Sequence, residues 1–436
     1  MDLTITPHRL HGSVRAIASK SMAHRLLICA ALCPGPTTIR CASTSKDIEA
    51  TIDCLEALGA EITREGELIH VTPLAGSPAT DNLRQARPDA TLDCGESGST
   101  LRFMLPVVAA LGCNASLTGH GRLASRPLSP LYEELIAGGS DLSEQGAFPL
   151  HVGGQLRAGR FELPGNVSSQ YISGLLLAAP LLGSPSEVRV TEPIQSRPYV
   201  NLTVAALAAF GVDVVETHEN VDGRSHTCFV VTPSTPYRSP GTVEVEGDWS
   251  NAAFWLAAGA LSDEVCVSGL DLASRQGDRA VLAALAKLGA RVARTMGLAT
   301  VSPGAPVATD MDVSDFPDLV PPLAAVAALA PGTTRITGCE RLRLKESDRV
   351  ETVVAGLAAL GADIRAEGDD IVIVGRGELA GGTVDAANDH RIAMMAAIAA
   401  ARCAGPVTIL GAECVEKSYP AFFDDYRTLG GIVTRA

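Results

Sequence analysis

The chain has 436 residues, too many for one ordinary core, so two domains are the natural expectation. It is 46% hydrophobic but 4% aromatic, which means cores of Ala, Leu and Val, and its net charge of −14 argues against nucleic acid and anionic membranes as partners. Eleven cysteines without a CxxC read as buried reduced thiols, and with no signal-peptide pattern and no run of about 20 apolar residues the expectation is a cytoplasmic chain.

In chain order, Leu3–Ile5 reads as a strand without a unit of its own. A polar start at Ser19-Lys20-Ser21 runs into the apolar stretch LLICAAL, a helix buried on most sides. Thr38–Arg40 alternates as a strand, and a loop then carries Lys46. An amphipathic helix follows and ends at Leu58-Gly59, where a glycine suits a left-handed cap. Glu61–Arg64 and Leu68–Thr72 read as a hairpin.

This order of elements recurs. Buried helices start again near Ser97-Gly98-Ser99, Ser168-Ser169-Gln170, Asp248-Trp249-Ser250, Phe316-Pro317-Asp318 and Asn388-Asp389-His390. Short strands recur at Ser116–Thr118, Val188–Val190, Val265–Val267, Thr334–Ile336 and Val407–Ile409. The second helices end at Gly138-Gly139, Phe210-Gly211, Leu288-Gly289, Leu360-Gly361 and Leu429-Gly430. From Gly59 onward the second glycines are 80, 72, 78, 72 and 69 residues apart. Six such units close either as one ring or as two bodies of three. The proline-rich stretch Pro233–Gly241, between the third and fourth units, favours two bodies. If Leu3–Ile5 completes the sixth unit, the second body is discontinuous and the connection double-stranded, which suits a hinge.

The chain has five lysines against thirty arginines. Thirteen to sixteen residues before each helix-end glycine stands one basic residue: Lys46, Arg126, Arg197, Arg275, Lys345 or Lys417. Lys20 opens the first buried helix. Helix N-termini offer free amides and partial positive charge, so cations placed there point to anionic ligands.

In SKSMAHR, Lys20, Ser21 and Arg25 suit a phosphate or carboxylate; the alternative is a cap with solvated charges. In ESGSTLR, Gly98 permits close approach of backbone to ligand, though packing explains it equally well. Ser168, Ser169 and Gln170 read as an uncharged phosphate cradle or as a plain cap. Lys345 and Arg349 of LKESDR are expected to share a helical face, with Glu346 as a proton carrier beside the lysine. In NDHR, His390 and Arg391 enter an apolar helix at once. Arg126 in ASRP, Ser196-Arg197 in SRPY, Lys417 in EKSYP and Asp318 in FPD complete the set, with an N-cap as the plain reading of Asp318. The cations converge on an expected interdomain cleft that holds a small, multiply anionic substrate pair.

In this order, SKSxxHR, SGSTLR, SRP, PGNVSSQ, SRPY, KESDR, NDHR and EKSYP resemble the enolpyruvyl transferases, and within them the branch whose acceptor is shikimate 3-phosphate. The resemblance runs from Lys20 to about Pro420. It implies an α/β fold of two similar domains, each of three βαβαββ repeats with buried helices (an inside-out α/β barrel), joined by a two-strand hinge. The domains would be residues 18–243 and residues 1–17 with 244–436. It implies transfer of the carboxyvinyl group of phosphoenolpyruvate to the 5-hydroxyl of shikimate 3-phosphate, with release of phosphate and no metal or organic cofactor.

By motif, shikimate 3-phosphate would meet Lys20, Ser21, Arg25, Ser168, Ser169, Gln170, Ser196, Asp318 and Lys345. Phosphoenolpyruvate would meet Lys20, Gly98, Arg126, Gln170, Arg349, Arg391 and Lys417, with His390 and Arg197 close to the set. Asp318 is the expected base at the hydroxyl, Glu346 the acid and then base at the methylene carbon, and Lys20 the cation at the departing phosphate. Lysine shuttles a proton at neutral pH where arginine does not, which gives a reason for the lysines in an arginine-rich chain.

Glu96 and Arg341 stand where relatives carry asparagine, and Ala18 where a glycine is usual. Gly98 implies sensitivity to glyphosate, which competes with phosphoenolpyruvate in this family. A UDP-N-acetylglucosamine enolpyruvyl transferase would carry a cysteine near His120–Arg126, and none is present. A ring-shaped repeat protein such as a sliding clamp would not want proton-bearing pairs at helix starts. No interface signal stands out, so the expectation is a monomer without nucleic-acid or membrane partners.

Overall fold

Residues 1–74, 89–146, 148–232 and 237–436 are described by a computed structural model, and within them the chain forms twelve α-helices and twenty-four strands. Of the proline-rich stretch, Pro233–Pro236 lie outside the described residues. The chain divides into two compact units: a continuous one, Lys20–Val245, and a split one, Met1–Ser19 with Glu246–Ala436.

The helices alternate in character. The continuous unit contains α1 (Lys20–Leu32), α2 (Lys46–Leu58), α3 (Gly98–Leu111), α4 (Leu131–Ala137), α5 (Ser169–Ala178) and α6 (Arg197–Ala209). The split unit contains α7 (Trp249–Leu261), α8 (Val281–Lys287), α9 (Val320–Ala327), α10 (Arg349–Ala359), α11 (His390–Ala399) and α12 (Phe422–Thr428). The odd-numbered helices are apolar on nearly every side and buried almost throughout; in α11 all ten residues are buried. They hold each unit's interior, and the even-numbered helices and the sheets cover them.

The strands form six four-stranded sheets of one topology. Ala90–Asp93 pairs in parallel with Ala115–Thr118, which pairs antiparallel with Leu150–Gly154, itself antiparallel to Ser140–Leu142. The crossover between the parallel strands is α3, as a parallel connection requires. At the chain ends the pattern is completed by borrowing. Leu3–Thr6 lies between Val407–Leu410 and Ile432–Arg435, antiparallel to both, so the N-terminal strand completes the sixth unit. Gly12–Arg15 serves the fourth unit in parallel with Val265–Ser268, and Thr242–Glu244 serves the first in parallel with Thr37–Arg40. In the split unit, Ser19 N–H donates to Glu246 O (2.8 Å) and Asp248 N–H to Ile17 O (2.8 Å), with Ala18 opposite Gly247.

The six helix-end glycines all have positive φ, from 76° at Gly211 to 114° at Gly59, so the repeated left-handed cap is present in every unit. A second glycine role appears where buried helices touch. A Cβ on Gly174 of α5 would sit 2.3 Å from Arg102 O of α3 and 2.8 Å from Pro106 Cγ. Pro106 has no N–H for that carbonyl, and Gly174 leaves room for the close approach.

Candidate active site

In the continuous unit, Lys20 is the first residue of α1, and its ammonium pairs with Asp47 Oδ2 at 2.7 Å. Asp47 lies in the first turn of α2, capped by Ser45. One turn into α1, Arg25 is 2% exposed. Its guanidinium donates to Thr203 Oγ1 (2.7 Å), Ser21 O (2.5 Å), Tyr199 O (3.0 Å) and Ser173 Oγ (3.3 Å), and lies over the Phe103 ring at 4.9 Å. All four acceptors are neutral oxygens. Burial therefore pulls Arg25 down to about 10, and it still carries its charge at neutral pH. A buried cation without a carboxylate is costly unless an anion is delivered to it.

The uncharged members gather at other helix starts. Ser168 caps α5 by accepting from Gln170 N–H, Ser169 is buried, and Ser196 precedes α6 in a left-handed conformation (φ 55°). Gln170 is held at both ends of its amide: Oε1 accepts from Arg102 Nη1 (2.6 Å) and Nε2 donates to Ser99 Oγ (2.8 Å). Gly98 opens α3, and the guanidinium of Arg126 lies against it: a Cβ there would be 2.6 Å from Arg126 Nη1. Arg197 is engaged otherwise, paired with Glu192 (3.3 Å) and Glu216.

The split unit gathers carboxylates and cations. Arg349, 1% exposed, opens α10 and bonds to three carboxylates: Asp389 Oδ2 from Nε (2.7 Å), Asp318 Oδ1 (2.8 Å) and Glu346 Oε2 (2.6 Å). Lys345 Nζ is 3.2 Å from the same Asp318 Oδ1, and Arg391 Nη2 is 3.4 Å from Asp318 Oδ2. Burial would raise Asp318, but Arg391, Lys345 and Arg349 together hold it well below the usual carboxylate range. Burial lowers Lys345, outweighing the pull of Asp318. Asp389 caps α11, accepts from Ser347 Oγ, and is held low chiefly by Arg349 against its burial. Lys417 is 7% exposed and donates to Asn388 O at 2.7 Å. Asn388 and Ala387 both have left-handed φ (55° and 50°), which turns that carbonyl toward the lysine. His390 is buried with Nδ1 3.9 Å from Asp389 Oδ1.

Two readings of single residues change. Lys345 and Arg349 do not share a helical face: Lys345 ends a 3₁₀ turn in extended conformation (φ −87°, ψ −162°), and α10 begins at Arg349. They converge through Asp318. Asp318 is no N-cap either; it sits in the 3₁₀ turn Pro317–Leu319 without a capping bond, and its carboxylate serves the three cations. Sequence reasoning missed Asp47, Arg102 and Asp389 as partners of Lys20, Gln170 and Arg349. Arg102 and Asp389 lie inside quoted motifs, SGSTLR and NDHR. A buried arginine of that kind demands a partner, and this rule would have pointed to them.

The family model for EPSP synthase (3-phosphoshikimate 1-carboxyvinyltransferase) matches residues 5–426. A 3-phosphoshikimate 1-carboxyvinyltransferase of Clostridium kluyveri is 39% identical over 432 residues, covering 98% of this chain and 97% of its own. One from Clostridium botulinum is 40% identical over 430 residues with the same coverage. The structure of an EPSP synthase from Acinetobacter baumannii superposes with a TM-score of 0.80 at 26% identity, covering both chains completely. The chain belongs to the EPSP synthase family.

Proposed function

We propose that the two sets of side chains serve one substrate pair, with anion binding concentrated in the continuous unit and proton transfer in the split one. The reaction is that of a 3-phosphoshikimate 1-carboxyvinyltransferase: the enolpyruvyl group of phosphoenolpyruvate passes to shikimate 3-phosphate in the shikimate pathway. Shikimate 3-phosphate is held by Lys20, Ser21, Arg25, Ser168, Ser169, Gln170 and Ser196, with Asp318 and Lys345 at its ring hydroxyls. Phosphoenolpyruvate is held by Lys20, Gly98, Arg126, Gln170, Arg349, Arg391 and Lys417.

Asp318 takes the proton of the 5-hydroxyl as its oxygen bonds to C2 of phosphoenolpyruvate, and Glu346 gives a proton to C3. The tetrahedral adduct then loses phosphate as Glu346 removes a proton from the new methyl group. Lys20 stabilises the leaving phosphate, which carries off the proton that Asp318 took, so both carboxyl groups end as they began. The observation that carries this division is the convergence of Asp318 and Glu346 on the one buried guanidinium of Arg349, which fixes two carboxylates side by side. Asp318 is ionised and ready to accept. Its low pKa makes it a weak base until the negative charges of phosphoenolpyruvate offset the cations around it.

We also read the chain as a cytoplasmic monomer; among the described residues no helix is long and apolar enough to cross a membrane. Size-exclusion chromatography with light scattering tests the monomer. Phosphate release from phosphoenolpyruvate, in chelator, tests the reaction. Turnover with shikimate 3-phosphate and none with UDP-N-acetylglucosamine is expected; the reverse preference overturns the assignment of acceptor.

A further inference from the structure

Beneath the binding residues of the continuous unit runs a chain of buried polar groups that touches no expected ligand. His24 of α1 is fully buried; its Nδ1 lies 2.6 Å from Thr51 Oγ1 of α2. Thr51 Oγ1 lies 2.7 Å from Thr100 Oγ1 of α3, which donates to Ser97 Oγ at 2.8 Å. Thr51 and Thr100 are fully buried and Ser97 is 1% exposed. Ser97 is the N-cap of α3 and accepts from Thr100 N–H. The chain thus joins three helices within their first two turns. These starts carry Lys20, Ser21 and Arg25 on α1, Asp47 on α2, and Gly98 on α3. Buried polar groups among apolar helices specify one arrangement when each has a partner.

His24 Nε2 has no hydrogen-bond partner, and the ring meets Phe103 edge-on at 6.4 Å. Burial, then the charges of Lys20 and Arg25, holds the ring well below its ordinary value, so it is neutral at working pH. A neutral imidazole has one N–H. A buried lone pair left unpaired is tolerated more readily than a buried N–H left unpaired. The proton therefore belongs on Nδ1, donating to Thr51. Thr100 gives its proton to Ser97, so Thr51, which accepts from His24, donates its own to Thr100.

We propose that His24, acting through Thr51 and Thr100, is a positioning residue that sets the start of α3, and with it Gly98 and the phosphoenolpyruvate subsite beside Arg126. The inference rests on the reading of Gly98 and Arg126 given above. Helix-start amides stabilise an anion only when aimed at it, and small misplacements of binding groups are costly.

The test uses the full chain. Thr51→Val removes the linking hydroxyl, and Thr51→Ser keeps it. We expect the KM for phosphoenolpyruvate to rise about ten-fold in Thr51→Val with kcat changed less than about three-fold, and to return to within about two-fold of the parent in Thr51→Ser. An unchanged KM in Thr51→Val, or equal rises in both variants, overturns the inference, because the second result means lost packing rather than a lost hydroxyl. Arg126→Ala, assayed in parallel, tests the underlying reading: if it leaves that KM unchanged, the subsite is misassigned. A long-range ¹H–¹⁵N spectrum of the unsubstituted chain needs no variant and no activity. It should show His24 protonated at Nδ1; the Nε2–H tautomer sinks the proposed chain of donors.

Discussion

Arg25 and Arg349 are both buried near helix starts, and they meet burial in opposite ways. Every hydrogen bond of Arg25 goes to a neutral oxygen, and burial pulls its pKa down. Arg349 faces three carboxylates, whose attraction outweighs burial and holds its pKa up. The first is a cation without an internal counter-charge, which suits the phosphorylated substrate proposed above. The second is already neutralised: it fixes where Asp318, Glu346 and Asp389 point and helps hold Asp318 and Asp389 ionised. On the proposed reading the continuous unit is weighted toward anion binding and the split unit toward proton transfer, although Arg349, Arg391 and Lys417 of the split unit also meet phosphoenolpyruvate.

The largest effects belong to the proton-moving side. Asp318→Asn removes the proposed base and should lower kcat about 10³-fold. Glu346→Gln separates the two roles. With Glu346 intact, turnover in D₂O should place deuterium in the vinyl group of the product; the glutamine variant should lose most turnover and form little deuterated adduct in a single turnover. Deuterated adduct formed at the parent rate in the Glu346 variant would assign the carbon acid to another group.

A swap of the two arginines for methionine sharpens the comparison. Arg349→Met strips the buried Asp389 of its cation, and the part-buried Asp318 and Glu346 of a shared one, and should destabilise the split unit by about 3–5 kcal/mol. Arg25→Met removes a cation that no carboxylate needs. It should change stability by less than about 1 kcal/mol, while raising the KM for shikimate 3-phosphate about 100-fold. Both tryptophans, Trp249 and Trp255, are buried in the split unit, so their fluorescence in a denaturant series follows that unit alone, with far-UV circular dichroism for the whole chain. Comparable destabilisation by both variants would remove the distinction between them.

Much of this was legible in the sequence because it depends on local rules applied six times. The left-handed glycines, the apolar helices and the hairpins are short-range features, and Leu3–Ile5 had no other place to pair. The polar starts of α1, α3, α5 and α11 were legible because charged and small residues interrupt apolar runs there. What escaped is long-range pairing. Asp47 lies 27 residues from Lys20 and Asp389 lies 40 from Arg349. Nothing in local pattern says which of 49 acidic residues will face a given cation. The helical pairing of Lys345 with Arg349 failed for a related reason: a spacing of four was read as helix, but α10 starts at its second member. His24, too, carries no local sign of its partner Thr51, 27 residues on.

Acid should act on the two units unequally. Asp318 and Asp389 have folded pKa values below the unfolded value of about 3.9. Their contribution to stability is fully present above that value and is lost as pH falls through the folded values, because there the unfolded chain binds more protons. Tryptophan fluorescence should therefore show the split unit weakening below about pH 4. Asp389→Asn, already missing one such group, should begin less stable and show a shallower acid slope. An unaltered slope would mean that Asp389 titrates alike in both states.

The smallest effect belongs to the binding side. Gly98 does not have the positive φ that only glycine takes easily, so alanine there meets no backbone strain, and the first turn of α3 accepts it. The added Cβ would nevertheless lie 2.6 Å from Arg126 Nη1, 3.1 Å from its Cζ and 3.2 Å from Arg102 Nη1. These are side-chain ends that can yield, so the fold should keep its stability to within about 0.5 kcal/mol while the Arg126 guanidinium moves off its place. Gly98→Ala should then raise the KM for phosphoenolpyruvate about five-fold and leave that for shikimate 3-phosphate nearly unchanged. A rise in both would mean that α3 itself had shifted, carrying Gln170 with it through Ser99. A rise in neither would place phosphoenolpyruvate away from Arg126.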